Sequence, residues 1–410
     1  MIFKKGELKL LWPFYLDAVI SPLFFFMPAF MVLYFNGIGL SLFQIGILMG
    51  VANLTSLLFE IPTGAIADLY GRKFSVLLSY FLQGAGFLSL FFVKEYYLIV
   101  GVYAFLGIAS TFSSGAKEAW VIDLIRTSRK DFQKGYFVKS QAIDSAGLIL
   151  SGIIGAYAVK LFGLSIIWVA TGVSFFAAFA IGLCAHERFV RKRTADSSIQ
   201  RITKQGWKAI LYSKNHSVLF SFLIAAAFLI LASNLTGQIA WLPFFKELGL
   251  PEYAFGYLWS FMAVMGVVAP LLVSRLLKTS KERAFILTSV LLLSFVTLLI
   301  FFVNSVAFAI ILLLVSTLFW GMRFTAERIY FHRFIPSKLR ASVGSLESMV
   351  LSVTAIVGAP LAGWLVDNIG PRYTIVSAAA IMLIAALIYY RIKEDKKRLF
   401  SAKTLPTKPF

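Results

Sequence analysis

The chain has 410 residues, of which 59% are hydrophobic and 14% charged, with a formal net charge of +20. That balance excludes a soluble globular domain. The positive charge collects in alternate connections between long apolar runs, which is the positive-inside pattern of a membrane protein and not a nucleic-acid footprint.

The apolar runs are each roughly 20 residues or longer, enough to cross a bilayer as a helix. Lipid offers the backbone no hydrogen-bond partners, so such runs are helical, and the period-two alternation of a strand-built barrel is missing. Residues 1–11 carry Lys4, Lys5 and Lys9. The run after them is too long and bulky for a signal peptide and lacks a small-residue cleavage site. It is expected to be a retained first helix with a cytoplasmic N-terminus. In chain order, twelve spans are predicted: 11–35, 42–69, 74–93, 96–124, 138–161, 165–185, 218–245, 253–277, 284–303, 306–328, 341–366 and 374–391.

The orientation follows from the connections. The outer ones hold only Lys94, Lys160, Lys246 and Arg372. The inner ones hold Arg126, Arg129, Lys130, Lys134 and Lys139, then Arg275, Lys278, Lys281 and Arg283. One topology satisfies all of them, with both termini cytoplasmic. The expected fold class is all-α integral membrane, with two six-helix halves at 1–185 and 218–391. Between them lies a basic cytoplasmic linker, 186–217, and after them a basic cytoplasmic tail, 392–410. In the linker, Ile199, Ile202, Trp207, Ile210 and Leu211 share one side of a helical wheel, opposite Arg201, Lys204 and Lys208. This predicts an amphipathic helix lying on anionic inner-leaflet lipids. A solvated linker with chance periodicity is the alternative.

The halves echo each other. Gly64-x-x-x-Asp68-x-x-Gly71-Arg72 after helix two recurs as Gly363-x-x-x-Asp367-x-x-Gly370-x-Arg372 after helix eleven, with a weaker echo from Gly155 to Gly163. Internal repeats of this kind build many secondary transporters, with the substrate site near the midplane between them. The two halves, the basic central connection and the string Gly64-x-x-x-Asp68-x-x-Gly71-Arg72-Lys73 together resemble the major facilitator superfamily over essentially the whole chain. Glu60-Ile61-Pro62-Thr63-Gly64, followed by Ser114 to Trp120 and Asp123, resembles a broad group of its prokaryotic members. The chain departs from the drug–proton antiporters of that family. Tyr103 stands where they carry an arginine, four residues before Gly107, and Gly152 to Ala156 lacks their helix-five proline. Leu69 follows Asp68 where the family loop has a basic residue.

The resemblance implies that Asp68 latches helix two to helix eleven, with Asp123 as a second acid near Arg72. Gly64, Asp68, Gly71, Arg72, Lys73 and Asp123 are therefore the expected gating loop. On physical grounds Gly64 would allow a close helix approach and Gly71 a positive φ. Charges inside spans are costly and mark functional candidates. Asp17, shortly before Pro22 and Pro28, and Glu118 are the candidate proton or cation carriers; shallow solvation of Asp17 and pairing of Glu118 with Lys117 or Arg323 are the alternatives. By resemblance, helices one, four, seven and ten line the central cavity. There Asn234, Gln238, Trp241, Trp320, Arg323 and Glu327 are candidate substrate contacts, and a structural pair between Arg323 and Glu327 is equally open. Glu60, Asp144 and Glu347 lie on helices that are interdomain in the family; Glu60 is expected to hydrogen-bond near Pro62, and the other two to join interdomain ion pairs. Gly46 and Gly50, with Ser151 and Gly155, are small residues suited to close helix crossing.

No Gly-x-x-x-x-Gly-Lys-[Ser/Thr] run occurs, so energy from nucleotide hydrolysis is not indicated. His186, His216 and His332 lack metal-ligand spacing, and the single cysteine, Cys184, forms no cluster. Neither an enzyme nor a cofactor is expected. The chain reads as a monomeric transporter in the cytoplasmic membrane, working by alternating access with a coupling proton and exporting a small hydrophobic or amphipathic compound. Movement of a polar metabolite and flipping of a lipid or lipid precursor are the alternatives, and a transporter-like sensor without flux is a further one.

Overall fold

The structure, a computed structural model, describes residues 3–128, 132–187, 211–213, 216–277, 281–335 and 340–392. Most of the expected interfacial helix, including Ile199, Ile202, Trp207, Ile210 and its three cations, lies outside the described residues, as does the tail after Ile392. The described helices that organise the chain run in order as α1 (Glu7–Leu23), α2 (Met27–Gly37), α3 (Leu42–Tyr70), α4 (Arg72–Phe92), α5 (Tyr96–Thr111), α6 (Ala116–Ser128), α7 (Gln133–Phe162) and α8 (Ile166–Leu183). They continue as α9 (Ser217–Leu235), α10 (Gln238–Glu247), α11 (Ala254–Leu276), α12 (Glu282–Leu299), α13 (Val306–Arg333), α14 (Arg340–Ile369) and α15 (Pro371–Arg391). Among the described residues, 12 segments are long and apolar enough to cross a membrane, and no strand occurs. Each predicted span meets one of these segments.

Three of the spans are broken. Glu7–Gly37 is divided between α1 and α2, Tyr96–Ile125 between α5 and α6, and Val218–Glu247 between α9 and α10. Pro22 ends the first helix and Pro28 opens the second, as proline's missing N–H and fixed φ favour. Gly115, with φ +68°, turns the chain before α6. Thr236 and Gly237 separate α9 from α10. At each break short turns take up the freed backbone groups, such as Phe25 N–H to Pro22 O and Gly237 N–H to Asn234 O. Irregular backbone at membrane depth is tolerated where it is enclosed by protein or lines a cavity.

Glycines at positive φ join several helices directly. Gly71, Gly163 and Gly370 have φ of 103°, 77° and 84°, so the sequence echo corresponds to one kind of joint. Gly71 ends α3 and begins α4 with ψ 152°, a conformation essentially reserved for glycine. Gly64 behaves differently. Its missing side chain faces open space, so the expected close helix approach is not made there.

The chain forms two compact units. The described residues through Glu187 pack together with Phe245–Val264, and those from Leu211 to Phe244 pack with Met265 to Ile392. In the first unit α4 packs on α8, α3 on α5, and α1 on α7 and α8. In the second, α9 packs on α14 and α15, and α12 on α13 and α15. Phe245–Val264 packs with the first unit. The reason is backbone contact through small residues: a Cβ on Gly256 would strike Gly152 O, and Ser260 Oγ donates to Ile149 O at 2.6 Å.

Candidate functional site

The first unit encloses an acid held by three donors. Asp17 lies on α1 five residues before Pro22, and Lys117 lies on the first turn of α6, just past the Gly115 bend. Lys117 Nζ is 2.6 Å from Asp17 Oδ2. Tyr80 donates its hydroxyl to the same oxygen at 3.0 Å, and Ser21 donates to Oδ1. Asp17 is 4% exposed. A small cavity borders this group, lined among others by Phe14, Asp17, Tyr80, Lys117 and Trp120. Buried charge is tolerable here because it is both paired and hydrogen-bonded.

The neighbouring candidate takes another course. Glu118 is exposed and has no hydrogen bond or ion pair among the described residues. Consecutive helical residues diverge by about 100°, so Lys117 can enter the unit only if Glu118 leaves it. Within the first unit Lys117 pairs with Asp17 and not with Glu118. Asp144, half-buried on α7, lies within electrostatic reach of Lys117 and Asp17. It thus joins the Asp17 neighbourhood inside the first unit.

The second unit holds its own buried pair. Arg323 Nη1 is 2.5 Å from Glu327 Oε2 along α13, and the two residues are 4% and 6% exposed. Tyr389 on α15 donates to Glu327 Oε1 at 2.7 Å. The Arg323 guanidinium lies over Trp320 at 4.3 Å, and its Nε has no partner among the described residues. Glu347 is half-buried, within electrostatic reach of Arg328 and Glu327. Asn234 and Gln238 do not form one continuous face, because Asn234 closes α9 and Gln238 opens α10 beyond the break. Asn234 instead donates to Ile230 O at 2.8 Å and rests against Gly358. Trp241 is buried and meets Phe244 edge-on.

The gating loop is built around α4. Arg72 Nη1 donates to Asp123 and, at 2.7 Å, to Ala119 O. Lys73 Nζ donates to Leu183 O at 2.8 Å and Ala185 O at 2.7 Å. Glu187 accepts from Lys73 N–H at 2.9 Å, at the N-terminal end of the α4 dipole, and its carboxylate occupies the space where a Gly71 side chain would stand. Asp68 is exposed and has no polar partner among the described residues of the first unit. Glu60 is likewise exposed. The hydroxyl that serves carbonyls beside Pro62 is that of Thr63, which donates to Phe59 O at 2.8 Å and Glu60 O at 3.3 Å.

Sequence reasoning did not single out Glu187, Tyr80, Tyr389 or the buried Glu7, which accepts from Tyr15 at 2.6 Å and Lys139 at 2.7 Å. Glu187 carried a readable signal as an acid opening a strongly basic connection. The tyrosines carried none, since each is one aromatic among many in an apolar span.

The sequence profile described as Major Facilitator Superfamily matches residues 14–346 and 280–410. The chain is 23% identical over 362 residues to the uncharacterized MFS-type transporter YxaM of Bacillus subtilis, covering 86% of this chain and 88% of that one. It is 24% identical over 147 residues to the multidrug resistance protein MdtH of Salmonella typhimurium, 35% of this chain and 36% of that one. The crystal structure of the nucleoside transporter NupG superposes with a TM-score of 0.74 at 14% identity, covering 93% of this chain and 99% of that one, a likeness of fold alone.

Proposed function

The chain belongs to the major facilitator superfamily as a multi-pass membrane transporter, and from that premise we propose that it is a proton-coupled exporter of a small hydrophobic or amphipathic compound, working by alternating access in the cytoplasmic membrane. The observation that carries the coupling is the pairing of the buried Asp17 with the half-buried Lys117. Asp17 holds Lys117 as a carboxylate and releases it when protonated, because the ionic attraction is lost while Tyr80 and Ser21 remain as neutral neighbours. Protonation thus changes what α1 and α6 hold between them, and both helices flank backbone breaks that can bend. The partial likeness to MdtH, a multidrug resistance protein, supports the hydrophobic cargo. The protein works as a monomer, with its basic cytoplasmic segments against anionic lipid and both termini cytoplasmic.

A second reading, movement of a polar metabolite, is favoured by the buried Arg323–Glu327–Tyr389 group and the unpartnered Arg323 Nε, which suit a ligand with an oxygen acceptor. One experiment separates them: flux of a compound panel into proteoliposomes with and without a pH gradient. Export of amphipathic compounds that follows the gradient, and that becomes gradient-independent in Asp17→Asn, is the expected result. Gradient-independent flux by the unaltered protein overturns proton coupling, and flux confined to polar metabolites overturns the cargo.

A further inference from the structure

Pro22 leaves a carbonyl on α1 without its regular partner. A proline has no N–H, so Ala18 O, four residues earlier, loses the donor that a helix would supply. One residue before Pro22 stands Ser21, whose hydroxyl donates to Asp17 Oδ1. A helical serine can instead turn its hydroxyl back to the carbonyl three or four residues earlier. This chain does so repeatedly: Ser110 donates to Gly107 O at 2.8 Å, Ser151 to Leu148 O at 2.9 Å and Ser316 to Leu313 O at 2.8 Å. For Ser21 the carbonyl three residues earlier is Ala18 O. Its hydroxyl therefore has two acceptors to choose between, the Asp17 carboxylate and the carbonyl that Pro22 does not serve.

The rest of the joint is held from two sides. Ser174 on α8 donates to Ser21 O at 2.7 Å. Gly147 on α7 admits Pro22, whose ring stands 2.5 Å from the position a Cβ would take. With these neighbours fixed, the Ser21 hydroxyl is the part of the joint that is free to change partner. The charged and titratable groups facing Asp17 are Lys117 on α6, Tyr80 on α4, and Tyr136 and Asp144 on α7. The other helix packed on α1 is α8, which carries no titratable side chain over Ile166–Leu183. A hydrogen bond to a carboxylate is about twice as strong as one to a neutral acceptor, so ionised Asp17 keeps the hydroxyl. Protonated Asp17 loses that advantage, and Ala18 O competes as a carbonyl in need of a donor.

We propose that Ser21 is the positioning residue that passes the charge state of Asp17 to the backbone. Its hydroxyl faces Asp17 when the acid is ionised and turns to Ala18 O when the acid is protonated. A serine bonded back in this way bends its helix, and here the bend falls at the break between α1 and α2. The proposal rests on the reading of Asp17 as the coupling acid and names how that acid moves the helix.

The test measures the joint and not flux. In a Cys184→Ser background, spin labels are attached to Trp12→Cys, on the exposed side of α1, and Gly37→Cys, at the end of α2 where a side chain meets open space. Pulsed electron resonance on the full chain in detergent reads the distance between them at mildly alkaline and mildly acidic pH. A bend of about 20° between arms of about 15 and 22 Å shortens that distance by about 2 Å on acidification, which is the expected result. Asp17→Asn is expected to abolish the response. Ser21→Thr is expected to keep it. Ser21→Val, which has the shape of threonine without the hydroxyl, and Ser21→Ala are each expected to reduce it at least threefold, so the test stands if either folds. A distance that ignores pH in the labelled parent overturns the proposal. So does a response that survives Asp17→Asn, or one that survives loss of the Ser21 hydroxyl at unchanged elution and unfolding temperature. Gradient-driven export with a joint that ignores pH would leave the exporter reading standing and sink this one; a joint driven by pH through Ser21, in a protein without gradient-driven export, would do the reverse.

Discussion

Asp17 and Lys117 are unequal partners. Asp17 is almost fully enclosed, whereas the Lys117 side chain is 37% exposed and can reach out along its own stem. Removing the lysine therefore strands a buried carboxylate, and removing the acid strands less. Lys117→Ala is expected to destabilise the detergent-solubilised protein by about 3 kcal/mol, Asp17→Ala by clearly less, and the double variant by less than the sum. Thermal unfolding measures all three, and equal single effects would refute the asymmetry. Tyr389→Phe removes one hydrogen bond to the buried Glu327 and is expected to cost about 1–2 kcal/mol in the same assay. The acids and bases of these groups stood out in the sequence because charge inside a span is rare. Their partners did not, since the choice of Asp17 over Glu118 for Lys117 depends on which helix lies beside α6.

At the scale of elements, the joint between α3 and α4 is the most sharply specified. Gly71 combines a backbone conformation closed to other residues with the Glu187 carboxylate in the space a side chain would take. Gly71→Ala is expected to cost about 1–3 kcal/mol, as forced backbone strain does. Gly64→Ala, seven residues earlier and in open space, is expected to stay within about 0.5 kcal/mol. Comparable unfolding temperatures for the two variants would sink this account. Span positions were legible because twenty apolar residues have few other uses. The breaks were only half legible. Pro22, Pro28 and Gly115 are visible punctuation, but Pro62, Pro270 and Pro360 lie inside continuous helices. Whether a proline breaks a span depends on what neighbouring helices and hydroxyls such as Thr63 offer the freed carbonyls.

At the scale of the whole molecule, the charge asymmetry makes a topological prediction. In a Cys184→Ser background, single cysteines at Lys94 and Glu252 are expected to react with a membrane-impermeant maleimide added outside intact cells. A cysteine at Lys5 or Lys397 is expected to react only after permeabilisation. Outside reaction at either terminal position would reverse the orientation. The division into units was less legible than the spans. Phe245–Val264 joins the first unit through Gly152, Gly256 and Ser260, and a glycine in an apolar run does not declare which neighbour it admits.

What the sequence determined by itself is the class of molecule: the number of spans, their places in the chain, the expected sidedness and the family. These follow from hydrophobicity and charge, which act against the bilayer residue by residue and need no neighbour. What the tertiary structure alone decided is pairing: Lys117 with Asp17, Glu327 with Tyr389, and Glu187 with the start of α4. Those depend on distances between residues far apart in the chain, such as the 114 positions that separate Lys73 from Glu187. Such distances are set by which small side chains let two helices touch, a property of both partners together and of neither sequence segment alone.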